Sequence, residues 1–152
     1  MKNILMLCAM FMLCSTQLYC QNVSSKSIPT KVKNEFAAKY PTALNVKWEI
    51  ENKTTYEAVF KLNNESVSTN FSQDGNWLET EKEIKASQLL NAVMDALNKK
   101  YPNAGLSEVA EVETPENGSF LDIDLSYNKK KYVVEMKSSG EIIKAEEHTS
   151  KK

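Results

Sequence analysis

Apolar residues fall four apart at Ile28, Val32, Phe36 and Tyr40, while Lys31, Lys33, Asn34 and Lys39 occupy the positions between them. That spacing marks one apolar stripe along a helix. Ser27 is expected to cap it and Pro29 to sit in its first turn. Pro41 disfavours helical geometry at Tyr40 and stops it. Leu89, Val93, Leu97 and Tyr101 repeat the stripe 61 residues later, with Ser87 as the expected cap and Pro102 as the stop. The near-identical KYPTA and KYPNA are therefore two helix ends, each with a tyrosine as its last core contact.

After each helix the apolar period falls from near four to two, as in half-buried strands. In the first half Val46, Trp48 and Ile50 are expected to face inward, followed by Tyr56, Ala58, Phe60 and Leu62, then Val67, Thr69 and Phe71. A turn at QDGN precedes Leu78 and Thr80, and Asp74-Gly75 between alternating runs is a strong hairpin signal. The second half gives Leu106, Ala110 and Val112, then Leu121, Ile123 and Leu125, then Tyr132, Val134 and Met136, a turn at SSGE, and Ile143. From Tyr56 onward the two halves are displaced by 65 residues, which sets Phe71 on Met136 and Gly75 on Gly140.

Each repeat thus reads as one helix and four strands. The expected fold is α+β, with two tandem two-layer units, each a helix on a four-stranded antiparallel sheet. The expected boundaries are 21–84 for the first repeat and 85–148 for the second, with 149–152 as a disordered tail. If the sheets join edge to edge, both helices lie on one side and the other sheet face stays uncovered.

Composition adds a location. Residues 1–20, MKNILMLCAMFMLCSTQLYC, combine an early Lys2, an apolar run from Ile4 to Leu13 and a more polar end, the layout of a secretory signal peptide. The run is shorter than a membrane span. Cys20 raises lipidation as an alternative, but Gln17, Leu18 and Tyr19 are larger than the residues that usually precede a lipidated cysteine. All three cysteines lie in this leader, so the remaining chain has neither disulfide nor thiolate ligand. Beyond the leader 18 lysines face 20 acids, a net charge of −2. That balance argues against nucleic acid as a partner, and the lack of arginine removes bidentate phosphate recognition.

The segments KYPTALNVKWEIENKTTYEAVF and FSQDGNWLETE resemble the PepSY-like, beta-lactamase-inhibitor-like exported proteins of Bacteroidetes, and the likeness spans nearly all of the chain beyond the leader. The second half keeps KYPNA and ETPENG but has Ala110 and Ile142 where the first has tryptophans. The resemblance implies a periplasmic or secreted location, a helix-plus-sheet repeat and no enzyme activity.

The residues themselves offer little catalytic chemistry. No phosphate loop, nucleophile elbow or metal motif is present, and the one histidine, His148, is placed in a mobile lysine-rich end. The expectation is no catalytic residue, no cofactor and no metal. Asp122 and Asp124, and Glu79, Glu81 and Glu83, line outward strand positions and are expected to pair with lysines on adjoining strands. Alternation also sends Trp77, Val59, Val109, Phe120, Val133 and Ile142 to the uncovered face. Trp77, Val59, Phe120, Val133, Ile142 and Glu79 form the expected site for a protein or peptide partner, because an exposed tryptophan with apolar neighbours and a polar rim has hot-spot composition. The competing reading makes Trp77 a cross-strand packing residue. Two further alternatives are a carrier holding a small apolar ligand in a pocket lined by Phe60, Phe71 and Leu125, and a calcium-dependent scaffold.

Overall fold

The computed structural model describes residues 24–148, so the expected leader and the last four residues lie outside the described part. Helix α1 (Thr30–Lys39) is followed by strands β1 (Leu44–Asn52), β2 (Thr55–Leu62), β3 (Glu65–Ser72) and β4 (Trp77–Glu83). Helix α2 (Asn91–Lys100) is followed by β5 (Gly105–Thr114), β6 (Gly118–Tyr127), β7 (Lys130–Met136) and β8 (Ile142–Glu147). All eight strands form one antiparallel sheet in the order β1-β2-β3-β4-β5-β6-β7-β8.

Both helices start later than their serines predict. A short 3₁₀ turn precedes each, and α1 and α2 open behind Pro29 and Leu90 with no side-chain cap. Their ends match the KYP signal, since Tyr40 and Tyr101 are the C-caps and both are buried. The helical stripes then define two separate cores. Val32, Phe36 and Tyr40 pack with Trp48, Ala58, Phe60, Val67 and Phe71, whereas Val93, Leu97 and Tyr101 pack with Val109, Leu121, Ile123, Leu125, Val134 and Met136. Phe36 is the hub of the first, with ring centroids 5.1 to 6.4 Å from Phe60, Trp48, Tyr40 and Phe71. Phe60 and Phe71 belong to one core and Leu125 to the other, all almost fully buried, so no single pocket is lined by the three.

Register shows that the helices share one side. Thr69 is opposite Thr80, Thr80 opposite Glu113, Lys82 opposite Glu111, and Glu111 opposite Leu121, which carries one face from the first core to the second. Between the cores that side is polar: Lys82 Nζ lies 2.9 Å from Glu111 and 3.5 Å from Glu65. A groove of about 430 Å³ follows this seam, lined by Leu62, Val67, Lys82, Glu111 and Leu121 among others.

Three irregularities overturn the simple alternation. Phe71 pairs with Trp77 but Asn70 pairs with Glu79, so Trp77 and Leu78 together face one partner residue in a β-bulge. The extra residue resets the faces: Trp77 turns to the helix side and Leu78 is 40 % exposed. Met136 with Ile142 and Glu135 with Lys144 repeat the bulge 65 residues on, so Ile142 packs against the second core and Ile143 is exposed. A third shift, between Leu106 and Glu108, places Val109 in the core and sends Ala110 and Val112 to the other face. The outward assignments of Trp77, Ile142 and Val109 are thereby corrected. Edge strand β1 is also irregular, and of its expected inward trio only Trp48 is buried, Val46 and Ile50 being exposed.

Candidate interaction face

The sheet face turned away from the helices is built from alternate residues of every strand. One cross-strand row runs Glu49, Glu57, Asn70, Glu79, another runs Lys47, Val59, Ser68, Glu81, Val112, Phe120, and a third runs Glu83, Ala110, Asp122, Glu135, Lys144. Glu108, Asp124, Val133 and Glu146 form a fourth. Of the expected partner-binding residues, Val59, Phe120, Val133 and Glu79 lie on this face. Trp77 and Ile142 do not.

Trp77 has a structural setting on the opposite side. Its indole Nε1 donates to Thr80 Oγ1 at 2.9 Å, and Lys39 Nζ stands 3.6 Å from the ring centroid in a cation–π contact. The Tyr40 hydroxyl also hydrogen-bonds Thr80, and Thr69 Oγ1 donates to the Glu79 carbonyl at 2.7 Å. This polar cluster ties the end of α1 to β3 and β4. Trp77 thus packs on the helix side against the end of α1, on the face opposite Val59.

What the sequence reading missed is how crowded the acids on the uncovered face are. The cross-strand neighbours of Asp122 are Ala110 and Glu135, and those of Asp124 are Glu108 and Val133, so the expected lysine partners do not stand opposite them. Burial, and then repulsion from Glu49 and Glu51, pushes Glu57 up to about 7 despite a hydrogen bond from Ser68 that opposes the shift. Glu81 is likewise raised to about 7, by burial and then by Glu79, Asp122, Glu108 and Glu57. Asp122 rises to about 6 through burial, Asp124 and Glu135. Burial also raises Glu79, Glu51, Glu108 and Asp124. A carboxylate taken out of water beside others of its kind holds its proton longer. The signal in the sequence was the alternation ETEKE and DID, in which every acid of a run shares one face.

The face also holds buried oxygens with nothing to accept from. Asn70 is 9 % exposed, and its Nδ2 donates to Glu79 Oε1 at 2.8 Å. Its Oδ1, and Asp122 Oδ1, are buried without a hydrogen-bond partner. His148 is not adrift: its backbone N–H donates to the Lys131 carbonyl at 2.8 Å, and its ring lies close enough to Asp124 to act against that group's upward shift.

A single antiparallel meander with two helices on one side and an acidic face on the other is the class this chain defines. The family model described as "Putative beta-lactamase-inhibitor-like, PepSY-like" matches it twice, over residues 16–69 and 54–147. The chain belongs to that PepSY-like family. Among solved structures it is similar to a BLIP-like protein from Bacteroides fragilis, at 23% identity over 82% of this chain and 89% of that one, with a TM-score of 0.72. It is also similar to a DUF2874 family protein from Bacteroides ovatus, at 24% identity, 78% and 86% coverage and a TM-score of 0.70. A third, described as a putative periplasmic protein of Bacteroides eggerthii, gives 22% identity, 78% and 88% coverage and a TM-score of 0.67. These likenesses establish the fold. No curated protein matches.

Proposed function

We infer that this is an exported, non-enzymatic protein that binds a protein or peptide partner through its uncovered sheet face, as an inhibitor or modulator. The observation that carries this reading is the face itself. It spans both halves, no helix among the described residues covers it, and it sets Val59, Phe120 and Val133 among carboxylates. Apolar residues rimmed by polar and charged ones are a general feature of protein interfaces. The raised carboxyls are spread along five strands rather than gathered about a nucleophile, which favours binding over catalysis.

The leader-like residues 1–20 and the description of the Bacteroides eggerthii neighbour as periplasmic support a periplasmic or secreted location. No helix among the described residues is long and apolar enough to cross a membrane. The doubled element order and the paired bulges at Trp77-Leu78 and Ile142-Ile143 support two repeats of one two-layer module.

The test is affinity capture from an envelope fraction with residues 21–152 as bait, beside Val59→Lys/Val133→Lys and, on the helix side, Lys31→Glu. A partner held by the parent chain and by Lys31→Glu, but lost with the face variant, is the expected result. Capture that ignores the face variant sinks the assignment.

A further inference from the structure

We propose that the occupant of this face is a cationic segment, a stretch of the partner bearing two or more lysine or arginine side chains whose heads seat at Glu57–Asn70–Glu79 and at Glu81–Asp122. The proposal rests on the face being a binding surface and adds the chemistry of what it takes.

Two independent observations converge on it. One is the excess of acid. Glu51 from β1, Glu57 from β2, Glu79, Glu81 and Glu83 from β4, Glu108 from β5, and Asp122 and Asp124 from β6 meet only a rim of cations. That rim comprises Lys47 and Lys61 on β1 and β2, Lys131 and Lys144 on β7 and β8, and His148 beside Asp124. The other is the pair of buried, unpartnered acceptors. Asn70 lies between Glu57 and Glu79 in its row, and its Nδ2 is engaged by Glu79 while its Oδ1 has no donor. A lysine ammonium brings three N–H donors and an arginine five, with no acceptor to conflict with the carboxylates.

The spacing fits more than one cation. Glu57, Glu81 and Asp122 stand on alternate strands β2, β4 and β6, so successive acids are on the order of 10 Å apart, two strand spacings. Two heads at that separation are within reach of long side chains two or four apart on an extended peptide, which share a face at roughly 7 and 13 Å. Val59 and Val133, half-buried among the acids on the same face, suit the aliphatic stems of lysine or arginine. A bare metal ion fits less well. Among the described residues no three acidic, histidine or cysteine side chains are grouped tightly enough to hold one.

The test uses a nine-residue arginine peptide and its citrulline counterpart, which keeps the shape and loses the charge, titrated calorimetrically into the full protein without its leader. The parent chain is expected to bind the arginine peptide, and Glu57→Gln/Glu81→Gln to weaken it by about 10- to 100-fold, the scale of lost charge-assisted hydrogen bonds. Asp95→Asn/Glu116→Gln, away from the face, should leave affinity unchanged. Binding should tighten roughly tenfold or more from pH 6 to pH 8 and release protons, because the cation binds the ionised carboxyls. Equal binding of the citrulline peptide, equal losses in both double variants, or calcium alone binding and displacing the peptide overturns the proposal. Should envelope capture depend on Val59 and Val133 but not on Glu57 and Glu81, the binding face stands and its cationic occupant does not. If the arginine peptide binds as described while capture ignores the face, the charge chemistry stands and the partner reading falls.

Discussion

Replacing Glu81 by glutamine should make the protein more stable above neutral pH and leave it nearly unchanged near pH 4. In the folded chain this carboxyl is raised from an ordinary value near 4.5 to about 7, with burial the leading cause. The folded state therefore keeps the proton while the unfolded state has released it. Its stability contribution is fully present below pH 4.5 and is lost as the pH climbs to 7 and beyond. Raising the carboxyl that far corresponds to an upper bound of roughly 3 kcal/mol. Partial exposure screens it, and about 1–2 kcal/mol is the expected gain for Glu81→Gln at pH 8. In thermal unfolding that is on the order of 5–10 °C. Urea denaturation of both proteins at pH 4, 6 and 8 measures the difference directly. A variant no more stable than the parent at pH 8, or an equal gain at pH 4 and pH 8, refutes the account of Glu81 as a buried acid among acids.

Four further substitutions probe the scaffold. Gly140→Ala should cost about 2 kcal/mol or more in urea unfolding, since the residue sits at φ +88° and an added Cβ would lie 2.4 Å from the Ala92 carbonyl oxygen. Its counterpart in the first half, Gly75, has φ +86° but nearest atoms at 3.3 Å, and Gly75→Ala should cost about 1 kcal/mol; equal losses at the two sites contradict the contact argument. Trp77→Ala should lower stability by about 2 kcal/mol, removing the Lys39 contact and the bond to Thr80, while leaving binding at the opposite face intact. Lost binding with unchanged melting would restore Trp77 to a recognition role. Phe36→Ala should cost about 3–5 kcal/mol as the hub of the first aromatic core, read by chemical denaturation and loss of near-ultraviolet dichroism.

Helix ends and strand order were legible because they depend on local rules. The four-residue stripe and the proline after each tyrosine act within a single turn, and Thr30–Lys39 and Asn91–Lys100 stand 61 residues apart as the stripes require. Faces were not legible wherever one extra residue entered a strand. Trp77 and Ile142 follow from alternation only if no bulge intervenes, and a bulge is defined by the partner strand, which the order of residues within β4 or β8 does not reveal. The displacement of 65 nevertheless carried a clue, since Leu78 and Ile143 shared one fate in both halves. The acidic face was legible as outward positions. Its shifted protonation was not, because Glu81 owes its environment to Glu57 and Asp122, residues distant in sequence that only the sheet brings near.

That last dependence bears on why the two halves share a sheet at all. Their cores do not merge: on the helix side the seam holds Lys82 with Glu65 and Glu111 in place of apolar side chains. The join comes instead from strand pairing of Thr80–Glu83 with Ala110–Glu113 and from Ala110 and Val112, buried on the other face. Hydrophobic burial alone would favour an apolar seam between the cores. The acids that raise Glu81 come from both halves, Glu79 and Glu57 from the first and Asp122 and Glu108 from the second. Each helix packs on a core of its own, but neither half alone assembles this cluster. The feature that joining the sheets creates is the acidic face, and a feature that lowers stability at neutral pH yet spans the junction is better explained by what it binds than by what it holds together.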